Sequence, residues 1–293
     1  MRSLVLLLLV NSILQVSAQH KDADYCSAPF SWQGFFDQQY KDAGFNYAFK
    51  GSSKSEFLAW QKEFLPELKK HLGLSLLNQK YKDYKPKSEK RSAEDKGSYI
   101  LERWYLWTEP DVPLPFILLV PKNKKGKLPL VLTPHGHSKN TEMYAGIADN
   151  EEDKAKMIEG ERDVAVQAVN EGYIAIAPTT RGFGETRTPK DIKENNISSC
   201  ESLMLRDIMM DRTPIGDRVW DMMRLIDWAI GNLPVDQKRI AITGNSGGGT
   251  VSLFAAVCDT RISVAVPSCY FCTFKGSIID LSHCPCNYVP GML

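Results

Sequence analysis

The 293-residue chain has almost no net charge, 36 basic against 35 acidic residues. Electrostatics therefore gives no reason to expect nucleic acid or an anionic membrane as a partner. Beyond the apolar run from Leu4 to Val10, no segment approaches the ~20 residues of a membrane-spanning helix. Internal repeats and low-complexity tracts are missing, so nothing suggests a propeller or solenoid. No lysine follows the glycines of Gly244-Asn245-Ser246-Gly247-Gly248-Gly249, which removes the P-loop reading of that stretch. Histidine is scarce, five in all, and only His283 lies downstream of Ser246.

What is present begins at the amino end. Met1-Arg2-Ser3, the apolar run and the small residues Val16-Ser17-Ala18 have the layout of a secretory signal peptide cleaved between Ala18 and Gln19. A signal anchor is the alternative, but the apolar core is short for a span. The expected organisation is a signal peptide over 1–18, a helical extension and linker over 19–97, and an α/β core over 98–293. The mature protein is expected to be extracellular, with no membrane association after cleavage. Seven cysteines in an exported chain favour disulfides over metal ligands. Cys269, Cys272, Cys284 and Cys286 with His283 could be read as a zinc site, but bridges across that loop are the preferred reading. Asn196-Ile197-Ser198 is a glycosylation sequon if the source is eukaryotic.

Along the chain, Ser53 and Glu56 form a possible capping box. Phe57, Leu58, Trp60, Phe64, Leu65, Leu68 and Leu72 then recur at helical spacing, read as packing surface. Pro66 is expected to kink or divide that helix, with Gly73 as its stop. Lys80 to Arg91 reads as a solvated linker. Tyr99 to Thr108 and Pro115 to Val120 read as a strand hairpin, and Leu128 to Thr133 as a third strand. A helix is expected over 151–170, a strand over Tyr173 to Pro178 and a helix from Asp217 to Gly231. A strand over Arg239 to Thr243, a helix over Thr250 to Val257 and a strand over Ile262 to Val266 complete the pattern. Strands alternating with helices imply a mostly parallel sheet covered on both faces. Between Thr179 and Ile215 lies a long polar insertion, expected to overhang the sheet's carboxyl edge as a lid.

The chemistry-bearing stretch is Gly244-Asn245-Ser246-Gly247-Gly248, between an apolar strand and a helix. Gly-x-Ser-x-Gly in that setting is a nucleophile elbow, which holds a serine hydroxyl at the carboxyl edge of the sheet. Attack by such a hydroxyl places charge on a carbonyl oxygen, and backbone N–H groups must already face it. One donor follows the nucleophile, Gly247. The other comes from the loop after the third core strand, His135-Gly136-His137, where the N–H of His137 is the candidate. Neither imidazole in that loop is read as the catalytic base.

His135-Gly136-His137, Arg181-Gly182-Phe183-Gly184 and the Ser246 elbow, in this order, resemble the acetyl xylan esterase and cephalosporin-C deacetylase group of α/β-hydrolases. The stretch from His283 to Gly291 and the amino-terminal helix resemble secreted hydrolases related to that group more closely. The resemblance runs from about residue 53 to the end. It implies an α/β-hydrolase fold, Ser246 as nucleophile, and His137 with Gly247 as oxyanion donors. His137 stands where those enzymes carry an aromatic residue, which matters little if the backbone does the work. The family's acid and base lie on loops after two further strands, whereas 47 residues follow Ser246 here. A compact Asp280–His283 pair is one possibility. The simpler expectation is a chain ending before its acid and base, with an unpaired sheet edge.

The reading is thus a secreted serine hydrolase of carboxylic esters, acting on acetylated carbohydrate or similar small acyl esters. No metal or organic cofactor is implied. The rivals are a peptidase of the prolyl oligopeptidase type, and an inactive fragment or non-catalytic binding protein on a hydrolase scaffold.

Overall fold

The computed structural model describes residues 32–137 and 141–292. The expected signal peptide and Cys26 lie outside the described residues. The chain divides into two units, the second running from Tyr47 to Met292. The described part of the first, residues 32–46, holds helix α1 (Trp32–Asp42), on which Trp32 and Phe35 meet edge to face.

The second unit opens with α2 (Lys54–His71) and α3 (Leu74–Tyr81). The capping box at Ser53 and Glu56 is present, and α2 runs unbroken through Pro66. The expected division at that proline does not occur. Strands β1 (Ser88–Asp95), β2 (Tyr99–Glu109), β3 (Val112–Pro121) and β4 (Leu128–Leu132) follow. Next come helices α4 (Thr141–Tyr144), α5 (Glu151–Glu159) and α6 (Val164–Asn170), then β5 (Ile174–Pro178). The single helix expected over 151–170 is interrupted, because Glu161 adopts φ 47° just after Gly160.

Beyond β5 lie α7 (Pro189–Lys193), α8 (Cys200–Asp207) and α9 (Pro214–Asn232). Strand β6 (Val235–Asn245), helix α10 (Gly247–Cys258) and strand β7 (Val264–Ser268) complete the core. The seven strands form one mixed sheet in the order β1-β2-β3-β5-β4-β6-β7. The β1, β2, β3 and β5 neighbours are antiparallel; β5, β4, β6 and β7 run parallel.

Alternation along the strands feeds two separate cores. Leu130, Leu132, Ile174, Ile176, Ile240 and Ile242 face one side, where α9, α10 and the α2–α3 pair cover them. Ile117, Leu119, Val131, Ala175 and Ala177 face the other, under α4 and α6. Each large aliphatic chain so buried contributes roughly 1.5–3 kcal/mol.

Strand β1 corrects the linker reading of Lys80 to Arg91. Its residues are nearly all polar and mostly exposed, so no apolar alternation announces it; pairing with β2 alone makes it a strand. At the opposite side β7 is the edge, and its Val264 and Val266 are 55% and 57% exposed.

Candidate active site

Ser246 is the single residue between β6 and α10, with φ 55° and ψ −117°. A positive φ on a residue bearing a Cβ costs of order 1–3 kcal/mol and persists only where its surroundings dictate it. Those surroundings are visible. The Ser246 N–H donates to the carbonyl of Ser268 on β7 (2.9 Å), and the Ser246 carbonyl accepts from Thr250 in the first turn of α10 (3.0 Å). A Cβ at Gly244 or Gly248 would lie 2.3 or 2.1 Å from the Pro134 carbonyl oxygen. Only glycine lets the loop after β4 press this closely on the turn. Ser246 is exposed and lines an open cleft of about 520 Å³, together with His137, Tyr144, Arg162 and Ser268.

The structure brings the three sequence-selected residues together. A Cβ at Gly247 would meet the His137 ring at 2.7 Å, so the loop and the start of α10 are in contact. Among the described residues, neither the N–H of His137 nor that of Gly247 has an acceptor. The Gly247 N–H is one of the open donors at the start of α10, where the helix dipole adds positive potential.

His135 is wholly buried and committed to the backbone. Its Nε2 accepts from the Thr180 N–H (3.0 Å), so Nδ1 carries the proton and donates to the Gly136 carbonyl (2.7 Å). Burial pushes it down to about 4 and keeps it neutral, against the pull of the Gly136 carbonyl. The His137 ring, not read as the catalytic base, has partners of its own. Nε2 lies 3.0 Å from Cys286 Sγ, and the ring sits edge-on to Phe183.

No histidine among the described residues hydrogen-bonds the Ser246 hydroxyl. The Asp280–His283 pairing does not form: Asp280 binds Lys275 (2.6 Å), and His283 is exposed with no bond to it. The six described cysteines carry no disulfide. The bridges expected within 269–286 are therefore not formed, because Cys269 and Cys272 are exposed while Cys284 and Cys286 turn inward with Cys200.

The lid reading of the 179–215 segment finds no support, since none of its residues lines the Ser246 cleft. Arg181, Phe183, Cys200 and Asp207 are buried. Arg181 uses all five of its N–H donors, on Asp221 (3.0 and 2.6 Å), Glu109 (2.8 Å), Asp217 (3.0 Å) and the Thr108 hydroxyl (3.3 Å). Arg212 binds the same Glu109 and Asp217. Burial raises the Glu109 carboxyl, but hydrogen bonds from Arg212 and the Arg181 charge override it and hold the group at about 2. The turn is a structural anchor that ties the end of β2 to the first turns of α9.

A model of the Abhydrolase family matches residues 12–283. A crystal structure from Bacteroides fragilis, provisionally assigned as an acetyl xylan esterase, is similar with a TM-score of 0.65 at 21% identity, covering 80% of this chain and 59% of that one. A methylesterase gives a TM-score of 0.53 at 18% identity, covering 84% of this chain and 46% of that one. The chain spans about half to three-fifths of the length of these two structures, and the likeness is one of fold. Among curated proteins no relative matches. With nearly its whole length matched and a mixed sheet of this topology, the chain belongs to the Abhydrolase family and has the α/β-hydrolase fold.

Proposed function

We propose that the chain is the core of an exported serine hydrolase that cleaves carboxylic esters, with acetylated carbohydrate or similar small acyl esters as the substrate class. The observation that carries this is Ser246: a non-glycine residue held at φ 55° at the tip of β6, its side chain open to a cleft. In this reading the Ser246 hydroxyl attacks the ester carbonyl and the alcohol leaves, giving an acyl-enzyme that water resolves. The N–H groups of Gly247 and His137 donate to the oxyanion, in keeping with their having no acceptor among the described residues. A single such donor is worth roughly 2.7–4 kcal/mol of transition-state stabilisation. The small-ester substrate class draws support from the acetyl xylan esterase assignment of the Bacteroides fragilis structure. Export rests on the layout of the first 18 residues, and no helix among the described residues is long and apolar enough to cross a membrane.

A non-catalytic binding protein on this scaffold is the second reading, favoured because no histidine among the described residues bonds Ser246. Fluorophosphonate labelling with peptide mass mapping separates the two. The hydrolase reading expects a phosphonylated Ser246, abolished in Ser246→Ala. A folded chain with no adduct at Ser246, or an adduct that survives the alanine change, overturns it.

A further inference from the structure

Below the oxyanion loop lies a second cluster that ester chemistry does not use. His137 Nε2 and the sulfurs of Cys200, Cys284 and Cys286 all lie within 4.8 Å of one another. Three chain segments deliver them: the loop after β4, the first residue of α8, and the turn at Pro285. Cys286 is fully buried and Cys200 nearly so. The Cys284 and Cys286 sulfurs are 3.4 Å apart, and His137 Nε2 is 3.0 Å from Cys286.

Zinc bonds of about 2.3 Å to sulfur and 2.0–2.1 Å to nitrogen put tetrahedral ligands roughly 3.6–3.8 Å apart. The 3.0 and 3.4 Å separations are a few tenths of an ångström short of that spacing and all four atoms lie within 4.8 Å, so small side-chain shifts reach it. A disulfide accounts for the cluster poorly, because three sulfurs cannot all pair and the imidazole would still face a thiol. The surroundings supply the independent argument. Arg218 is buried and among the described residues forms no salt bridge, although its charge acts at longer range on the buried Asp207. Its Nη2 donates to Cys200 Sγ (3.4 Å), its Nε to the Arg181 carbonyl (3.0 Å), and its guanidinium lies over Phe183. A buried cation needs an anion. Zinc with three thiolates and a neutral imidazole carries one net negative charge, which this guanidinium neutralises while hydrogen-bonding a ligand sulfur.

We propose that His137, Cys200, Cys284 and Cys286 form a structural zinc site. Four protein ligands leave no open coordination position, so the metal acts as a strut and not as a Lewis acid. Binding releases the three thiol protons to solvent. It ties the His137 loop to α8 and to the 284–287 turn, fixing the N–H groups of His137 and Gly247 relative to each other. The site does not depend on the hydrolase reading, since its test measures metal.

The test is native mass spectrometry with elemental analysis of the full chain, purified without chelator. The expected result is one zinc per chain. Even outer-shell changes weaken metal binding by about 10–100-fold, so Cys200→Ser and Cys286→Ser should each lose at least about ten-fold in zinc affinity. The double change Cys269→Ser/Cys272→Ser, at two exposed thiols, should keep one zinc. Cobalt exchange into the unaltered chain provides a readout that does not require a variant to fold. Intense visible bands of a tetrahedral site with sulfur-to-cobalt charge transfer are expected. The proposal is overturned by a folded chain that stays metal-free after equilibration with zinc. It is equally overturned by a disulfide among Cys200, Cys284 and Cys286, or by zinc that depends on Cys269 and Cys272.

Discussion

Around the first turns of α9, guanidinium–carboxylate chemistry and thiol–imidazole chemistry lie side by side, joined where Arg218 Nε reaches the Arg181 carbonyl. On the first side all six oxygens of Glu109, Asp217 and Asp221 accept hydrogen bonds, and Arg181 has no donor to spare. Those three carboxylates are satisfied by protein atoms alone, although the neighbouring buried Asp207 keeps Oδ2 without a partner. On the second side three sulfurs, one imidazole nitrogen and an unmatched guanidinium converge without closing. A polar cluster that satisfies itself is architecture; one that falls short of closure by a fixed charge and geometry points to a missing ion.

The largest effect is expected from opening the carboxylate network. Arg181→Met leaves buried Glu109 and Asp217 with Arg212 as their remaining guanidinium partner, and buried Asp221 with only the Thr108 hydroxyl. Removing one partner of a buried ion cluster costs about 3–5 kcal/mol. Urea denaturation should register a loss of that order in the variant. A change under 1 kcal/mol would show that the network adds nothing and that the contrast with the sulfur cluster is empty.

Acid should separate the two clusters next. Glu109 titrates at about 2 in the fold against an ordinary 4.5. For a depressed carboxylate the stabilisation is fully present above pH 4.5 and is lost as pH falls toward 2. One pKa unit corresponds to about 1.4 kcal/mol, so the loss is about 3 kcal/mol across that window. Glu109→Gln should start lower in stability and show a correspondingly flatter decline between pH 4.5 and 2. Metal loss in acid would affect both proteins alike, so their difference isolates the carboxylate. Parallel curves would remove Glu109 from the account.

The sequence carries these regions unequally. The elbow was legible because everything that defines it is local: β6, Ser246 and α10 are contiguous, and the apolar strand, small turn residues and helix each leave a short-range pattern. The placement of His137 and Gly247 beside it was legible through the order of strands. The sulfur cluster was not, since His137, Cys200 and Cys286 are brought together only by the tertiary fold. Neighbouring His283, Cys269 and Cys272 drew attention instead, and all three are exposed. The buried role of Arg181 was hidden for a similar reason. A polar stretch between Thr179 and Ile215 reads as solvent-facing until Glu109, Asp217 and Asp221 are known to meet it. A charge-balance question, asked of Arg218 and the cysteines together, is the one signal that could have linked them.

The smallest effect tests how far closure extends beyond the charges. Thr108 is fully buried on β2; its hydroxyl donates to Asp221 Oδ1 (2.7 Å) and accepts from Arg181 Nη2 (3.3 Å). Thr108→Val keeps the shape and removes both bonds. Asp221 Oδ1 still receives Arg181 Nη2 at 2.6 Å, so no carboxylate oxygen is orphaned and one guanidinium N–H is. Leaving one buried donor unmatched costs about 1–3 kcal/mol, and the surviving ion pair argues for the lower half of that range. The expected loss in urea denaturation is therefore about 1–2 kcal/mol, with zinc content unchanged because the sulfur cluster does not touch Thr108. A loss equal to that of Arg181→Met would mean the network collapses as a unit; no loss would mean the hydroxyl merely fills space and the ions close the cluster by themselves.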